Sequence, residues 1–559
     1  MFDRLFDPIG NANPQLFREL KGRLRPRNVL IAIGGSLFVQ TILFFIFWSK
    51  LPVDRGLAVN VRNDYCISGR IPELGPNAYG CLRDSFDRFI IQWDSWWWEL
   101  CQSLTLLWVG GLLLAGLFLL IGNLADEKQR GTLNFVRLSP QSARTILMGK
   151  LIGVPVLVYI AVAAALPLHV WSALNSGGSP IDLVLFYSVV FASCMAFFCL
   201  AIFYALLSGQ RPWLGFVLAS IGTIFYLGFL KNAFLHNFID TYKVYCQAGN
   251  CHFEDIRLSS LNQPIWWFIP LAKSPTLTQL FIVLSCTLVI YWVWSILERH
   301  YHNPKGTFIS KGQSYGLTLC VNLYLLGFAA SSLVRVDYPI WQILQRGIRG
   351  QLSLYICINL GLILLLTILV MPSRQALQDW SRHRHLDRNY SEVRDLLWGE
   401  KSPATMTVRI NIIAIATIWS VWILLWPQDI DKLRLILGIF ICAALMLIYS
   451  TILQWISFLK HPKRSIFAAV SLAAMLCIPL VIVWPIVDEI DRWLTWGVFS
   501  IFSAGIILVD RISLLQFCLC FVGQVAIAAA FASGFLHHVK QTGKSEMKLL
   551  VPDTVRLRT

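Results

Sequence analysis

The sequence predicts an all-α polytopic membrane protein with about 12 or 13 transmembrane helices. Three observations lead there. Hydrophobic residues make up 56% of the chain and charged ones only 14%, against roughly 25% charged in a soluble domain. So few polar groups cannot cover so apolar a core, and lipid must supply part of the solvent. Apolar runs close to the ~20 residues that carry a helix across a bilayer recur along the chain. The 22 Trp and 16 Tyr suit aromatic belts at two membrane surfaces.

The runs cover 29–48, 101–124, 148–173, 182–207, 213–230 and 277–297, then 313–334, 350–371, 410–426, 433–458, 465–486, 493–510 and 512–536. Lipid offers no hydrogen-bond partners, so each must be helical, and they are too long for barrel strands. The first begins at Val29 after a basic leader, with no small-residue cleavage site behind it, and reads as an uncleaved span. This divides the chain into a leader 1–28, a six-span domain 29–297, a further membrane domain 298–536 of six or seven spans, and a basic tail 537–559.

The net charge of +16 does not point to nucleic acid, because the basic residues sit in short segments between apolar runs. There they set topology and touch anionic headgroups. With the N-terminus inside, the Lys- and Arg-rich segments 1–28, 125–150, 208–212, 298–312, 372–409 and 459–464 are cytoplasmic, and 49–100 and 231–276 are external. The acidic turns Asp429/Asp431 and Asp488/Glu489/Asp491 then fall outside. Thirteen crossings would also put outside a tail bearing Lys540, Lys544, Lys548, Arg556 and Arg558. Either one run is not a full span, with the pair flanking Asp510-Arg511 the weakest, or the tail breaks the charge rule.

Two external stretches are aromatic. Trp93-Asp94-Ser95-Trp96-Trp97-Trp98 reads as an interfacial patch before the second span. Pro264-Ile265-Trp266-Trp267-Phe268-Ile269-Pro270 is apolar but too short to cross, and reads as a re-entrant or interfacial piece. Of 14 Cys, ten fall in or beside spans as small packing residues. The other four form two local pairs on the external side, Cys66 with Cys81 and Cys246 with Cys251, and suggest two disulfides in an oxidising compartment. Zinc is not expected: the pairs lie far apart and His252 is the one imidazole nearby.

Catalytic chemistry is not visible. H-E-x-x-H and G-x-S-x-G do not occur. Gly543-Lys544-Ser545 would need a glycine at the position of His538 to be a phosphate-binding loop. The chain is therefore expected to be no ATPase and no enzyme, with no cofactor and no metal. The main polar groups within the spans are His169, Asn322, Asn359, Gln454 and Gln524, read as helix–helix hydrogen bonds. The scarcity of charge near the span middles speaks against a proton-driven antiporter.

Two segments point to a function. In the leader, Leu16, Phe17, Leu20 and Leu24 recur at helical spacing among Arg18, Lys21, Arg23 and Arg25, the pattern of a short amphipathic helix in the inner headgroup layer. After the second span, the charged stretch Asp126-Glu127-Lys128-Gln129-Arg130 leads into Gly131-Thr132 and an apolar stripe of Leu133, Val136 and Leu138. Ser139-Pro140 breaks it, and a second helix runs through Gly149-Lys150-Leu151 into the third span. The result is a cytoplasmic helical hairpin between two spans.

The pattern Glu-x-x-x-Gly-Thr-Leu, then Leu-Ser-Pro, then Gly-Lys-Leu, resembles the coupling segment of type-2 ABC exporter permeases. The Asn-Pro-x-x-x-Arg-Glu-Leu leader resembles that family's elbow helix. Six spans up to about residue 297 and a short apolar external piece between the fifth and sixth agree, so the resemblance covers a little over half of the chain. It implies a homo- or heterodimer of such domains, a separate ATP-binding cassette ATPase subunit docked on the cytoplasmic hairpin, and export of substrates such as lipids, polysaccharides or drugs. It further implies a bacterial plasma membrane with the N-terminus cytoplasmic. By position, Glu127, Arg130, Gly131, Thr132, Ser139 and Pro140 would belong to the coupling segment, and Arg18 and Glu19 to the elbow. Each also serves as a topology-setting charge, a turn or a helix cap.

Residues 298–559 depart from the family. The segment Asp395-Leu396-Leu397-Trp398-Gly399-Glu400-Lys401-Ser402-Pro403-Ala404 faintly echoes the first hairpin but lacks Gly-Thr-Leu, so an appended membrane domain is favoured over a second half-transporter. The competing functions are a secondary carrier and a membrane-embedded transferase; for the latter the external Asp, Glu and His form no recognisable arrangement. A cysteine placed at Arg137 should react with an impermeant thiol reagent only from the cytoplasmic side, and reaction from outside would overturn the topology.

Overall fold

The computed structural model describes residues 10–52, 63–70, 79–86, 88–208, 212–231, 243–247, 250–254, 265–271, 274–304, 306–334, 341–383, 391–426, 431–461, 463–483 and 513–542. Among them, ten helices are long and apolar enough to cross a membrane, and the strands are three two-stranded hairpins. The chain is an all-α polytopic membrane protein. The run 493–510, the acidic residues Asp429, Asp488, Glu489 and Asp491, and Gly543-Lys544-Ser545 lie outside the described residues. The chain divides into two compact units, Met1–Gln263 with Leu271–His302, and Pro264–Pro270 with Asn303–Thr559.

Unit 1 contains α1 (Pro14–Arg23), α2 (Pro26–Ser49), α3 (Trp93–Gln129), α4 (Thr132–Arg137), α5 (Ala143–Gly153), α6 (Val156–Asn175), α7 (Pro180–Ser208), α8 (Pro212–Leu230) and α9 (Pro275–His302). Helix α3 is the hub, packed on α6, α7 and α8. Its apolar residues Leu100, Leu104, Val109, Leu113, Leu117, Ile121 and Leu124 are buried on several sides, as expected of a helix apolar all round. By contrast, α2 fully buries only Gln40 and Phe47, packs Leu43 and Phe44 part-way against the core, and leaves residues such as Leu30, Phe38 and Phe45 exposed. Polar groups join helices where the apolar seam cannot: His169 on α6 bonds Thr105 of α3 at 2.8 Å and Tyr187 of α7 at 2.7 Å. With 37 residues, α3 is about 55 Å long, well beyond the ~30 Å hydrocarbon layer. Its last turns therefore stand clear of the bilayer and carry Asp126, Glu127 and Lys128.

The aromatic stretch 93–98 forms the first turns of α3 rather than a separate patch. Trp93 is 43% exposed, as a belt residue would be, but Trp96 is fully buried. Its indole N–H donates to the carbonyl of Phe47 at 2.9 Å, a second donor to an acceptor that also takes the Lys50 N–H at the end of α2. Before it, strands β1 (Ser68–Arg70) and β2 (Tyr79–Cys81) pair antiparallel, and a disulfide joins Cys66 to Cys81. Strands β3 (Lys243–Gln247) and β4 (Asn250–Glu254) set Cys246 opposite Cys251 in the backbone register; their side chains lie outside the described set. The ten other cysteines are free thiols.

Unit 2 contains the hairpin β5 (Ile265–Trp266) and β6 (Ile269–Pro270), then α10 (Lys311–Val334), α11 (Trp341–Val370), α12 (Arg374–His383), α13 (Glu392–Trp398), α14 (Thr405–Leu424), α15 (Lys432–Phe458), α16 (Arg464–Val483) and α17 (Leu514–Thr542). The short apolar piece 264–270 thus belongs to unit 2 and not to the six spans of unit 1. It docks on α10 through backbone polarity: Trp267 N–H donates to Gly327 O at 2.7 Å and Trp266 Nε1–H to Tyr324 O at 3.1 Å. An aromatic turn that cannot cross the bilayer still satisfies its donors this way.

Helix α15 is the hub of unit 2, packed on α11, α14, α16 and α17. Phe440 faces Phe521, Trp455 faces Phe531, and Phe458 faces Phe535, so α15 and α17 run parallel. Helix α16 turns back after Phe458, with Tyr449 OH donating to Met475 O. It leaves the end of the unit to which α17 returns. There Leu377 and Trp380 of α12 pack with Phe458, Phe535 and Val539. The start of the basic tail therefore lies at the same end of unit 2 as the loop 372–409, where the charge rule wants it.

The Cys66–Cys81 bridge closes a loop of 15 residues and should contribute about 3 kcal/mol by restricting the unfolded chain. Peptide mapping without reduction should recover the two cysteines linked. Free thiols at both would remove the bridge and with it the argument for an oxidising compartment.

Candidate functional site: a buried ion network joining the leader to the hairpin

The site is the junction of α1, the end of α3 and α5. Asn13 starts α1: its side chain accepts from Leu16 N–H at 2.9 Å, and its amide donates to Thr145 O of the α5 turn at 2.8 Å. Pro14 follows at the first helical position, where no N–H is needed. The leader's amphipathic pattern identifies the helix, but its inward face is not simply the leucine stripe. Gln15, Glu19 and Leu20 are buried, whereas Leu16, Phe17 and Leu24 are only partly covered.

Close packing makes this possible. Gly149 and Gly153 lie one turn apart on α5. A Cβ on Gly149 would sit 2.8 Å from Leu16 N, and one on Gly153 2.6 Å from Glu19 Cβ. The small-x-x-x-small spacing lets two helices touch backbone to backbone. Between the glycines stands Lys150, fully buried. Its ammonium lies 2.6 Å from Glu127 Oε2 and 3.7 Å from Glu19 Oε1, and donates to Asn123 Oδ1 at 3.2 Å. Arg18 reaches Glu127 at 3.1 Å and Arg23 reaches Glu19 at 3.3 Å. Gln15 adds a donor to Glu19 at 3.1 Å. Three cations on two carboxylates tie leader, second span and hairpin together. An ammonium removed from water needs this set, because a buried charge without partners costs several kcal/mol.

The hairpin itself turns at Gly131, whose φ of +73° is left-handed. No atom lies within 4 Å of the position a Cβ would take, so the demand for glycine there is one of backbone conformation alone. Thr132 donates its hydroxyl to Glu127 O at 3.2 Å. Leu133 and Val136 of α4 are buried, while Phe135 and Leu138 are 80% and 85% exposed. Ser139 ties back to Val136 O at 2.7 Å, and Ser142 caps α5 by accepting from Thr145 N–H; Pro140 lies between them. The hairpin is braced from three sides. Lys128 donates to Leu206 O at the end of α7 at 2.8 Å. The Arg137 guanidinium lies 5.3 Å from the centre of the Tyr301 ring. Arg144 pairs with Glu298 of α9.

Of the residues singled out in the sequence, Arg18, Glu19 and Glu127 meet in one network. Gly131, Thr132, Ser139 and Pro140 shape the turns, and Arg130 stands exposed at the end of α3. Sequence reasoning missed Lys150 as the centre, seeing only a motif position at the start of a span. The Gly-x-x-x-Gly pair around it was the readable signal. In unit 2 the echo segment also surrounds a buried lysine. Lys311 lies 2.8 Å from Leu396 O and 2.6 Å from Ser402 Oγ, with Asp395 O and Pro403 O at 3.4 Å. The hydrogen bonds of that cradle come from neutral oxygens; the Asp395 carboxylate accepts from the Trp380 indole and also acts on the ammonium through space.

Lys150→Met should cost about 3 kcal/mol, because it removes the one fully buried cation between two largely buried carboxylates and leaves each with only an arginine at the rim. Arg18→Met, on a side chain 52% exposed, should cost about 1 kcal/mol or less. Thermal unfolding of the purified chain in detergent checks the contrast, and equal effects would contradict the network. Comparison with protein-family models, with curated proteins and with solved structures finds no match to this chain, so its function is argued from this geometry.

Proposed function

We propose that the chain is the membrane permease subunit of an exporter, driven by a separate ATP-binding cassette ATPase that docks on the hairpin 125–150. The carrying observation is mechanical. A hairpin with two exposed apolar side chains, Phe135 and Leu138, continues into spans at both ends, through α3 and through α5 into α6. A buried ion network welds it to the leader helix. A load applied at α4 passes into α3, α5 and α1 without crossing a flexible linker. That is what a soluble motor needs in order to move membrane helices. Exposed Phe and Leu on a cytoplasmic turn would be covered by the docked subunit. On this reading the chain binds no nucleotide and performs no covalent chemistry, its N-terminus is cytoplasmic, and two permease chains assemble to form the pathway.

Affinity purification from native membranes should bring a nucleotide-binding subunit with the chain, and Phe135→Asp with Leu138→Asp should release it. Glu127→Ala, Gly131→Leu or a Gly-Ser insertion after Leu138 should abolish transport with membrane insertion intact. If the hairpin residues only cap helices, Glu127→Ala would cost about 1 kcal/mol of local stability and spare transport. Normal transport in both Glu127→Ala and the insertion variant would defeat the assignment. Transport that needs no ATP and collapses with an ion gradient would identify a secondary carrier.

A further inference from the structure

At the end of unit 2 that carries α12, a cavity of about 240 Å³ lies between the ends of α11 and α15 and the start of α16. Its apolar wall includes Ile368, Met371 and Leu453, and its polar wall includes Ser373, Arg374 and Arg464. Among the described residues, no carboxylate lines it. Both arginines are held from the same helix. The Arg374 guanidinium lies 5.6 Å from the centre of the Phe458 ring, and Arg464 Nη1 donates to Ser457 O at 3.3 Å. Neither is within ion-pair distance of an Asp or Glu among the described residues. Arg374 Nε is buried and donates to no protein atom, although an unmet buried donor is costly and rare.

Two fixed guanidiniums, a hydroxyl and the first turn of α12 converge on one space whose other wall is apolar. Planar guanidinium forks suit phosphate oxygens, the start of a helix favours anions, and basic pockets between transmembrane helices take phospholipid headgroups. We propose that this cavity is a binding site for a phosphate-bearing anion, with Arg374 and Arg464 as its cationic ligands and Ser373 as a further donor. The anion is the headgroup of an acidic phospholipid or free phosphate. In the first case, the acyl chains lie along Ile368 and Leu453. The site belongs to unit 2 alone and is independent of coupling to an ATPase.

Native mass spectrometry of the full chain, purified in detergent and titrated with phosphatidylglycerol or phosphatidylcholine, tests it. Wild type should bind phosphatidylglycerol about 10-fold tighter than phosphatidylcholine. Arg374→Gln with Arg464→Gln should lose about 10-fold or more of the phosphatidylglycerol affinity, and Arg374→Lys with Arg464→Lys should retain most of it. Should the glutamine pair elute aggregated, Arg464→Gln alone, on an exposed side chain, should show a loss of about fivefold. Inorganic phosphate that displaces phosphatidylglycerol at equal concentration identifies the free ion as ligand, and failure to displace identifies the lipid. Equal affinity for the two lipids in wild type, or unchanged phosphatidylglycerol binding in a folded glutamine variant, overturns the proposal.

Discussion

Burial of the Lys150 ammonium is the constraint on which the hairpin end of unit 1 depends. It has no exposed surface, so carboxylates must come to it. Glu127 comes from the projecting end of α3 and Glu19 from the leader. Glu19 reaches it only because Gly149 and Gly153 remove the side chains that would hold α1 away from α5. Removing any one of these would leave the others at a loss: the glycines without a helix to touch, or the carboxylates with only the arginines at the rim. This mutual dependence joins the leader to two segments more than 100 residues away from it. It gives the hairpin its stiffness.

Unit 2 meets a similar demand differently. Lys311 is as thoroughly buried, yet its partners are carbonyl and hydroxyl oxygens of the segment 395–403. A cation whose direct hydrogen bonds go to dipoles fixes a loop against a helix end, while the Asp395 carboxylate acts on it through space and bonds Trp380. Both units therefore keep ionised groups at the ends of their helices. Within the long helices, uncharged polar side chains meet one another, as His169 meets Thr105 and Tyr187 and Asn322 meets Trp419. Asn359 instead donates from its amide nitrogen to Tyr355 O on its own helix. In hydrocarbon, a polar group is tolerated where a partner is within reach, on either a neighbour or its own backbone.

The spans were legible because lipid imposes a rule on every residue of a run at once: about 20 apolar residues and no unsatisfied backbone. Local signals were legible too. Asn13-Pro14 opens a helix, Gly131 turns the hairpin, and Cys66 finds Cys81 in the same loop. Each needs information from only a few neighbouring residues. Pairings over long distances could not be read this way. Nothing near Glu19 in sequence says that it turns inward, because an amphipathic pattern records hydrophobicity and a buried carboxylate violates it. Nor does the Pro264–Pro270 stretch disclose that it packs on α10, since its donors find Tyr324 and Gly327 some 60 residues later.

The sequence by itself determined the membrane class, the helical fold, the positions of ten span-length helices among the thirteen runs and the hairpin between two of them. All follow from hydropathy, charge and turn chemistry along the chain. The runs 313–334 and 465–486 form helices that fall short of the combined length and hydropathy of a span. Tertiary structure alone decided which charges meet. It made Lys150 rather than Arg130 the centre of the network, placed the start of the basic tail beside α12, and aimed Arg374 and Arg464 at one cavity. The physical reason is that a buried charge is stable only when its partners surround it in space, and those partners come from segments that are remote in sequence.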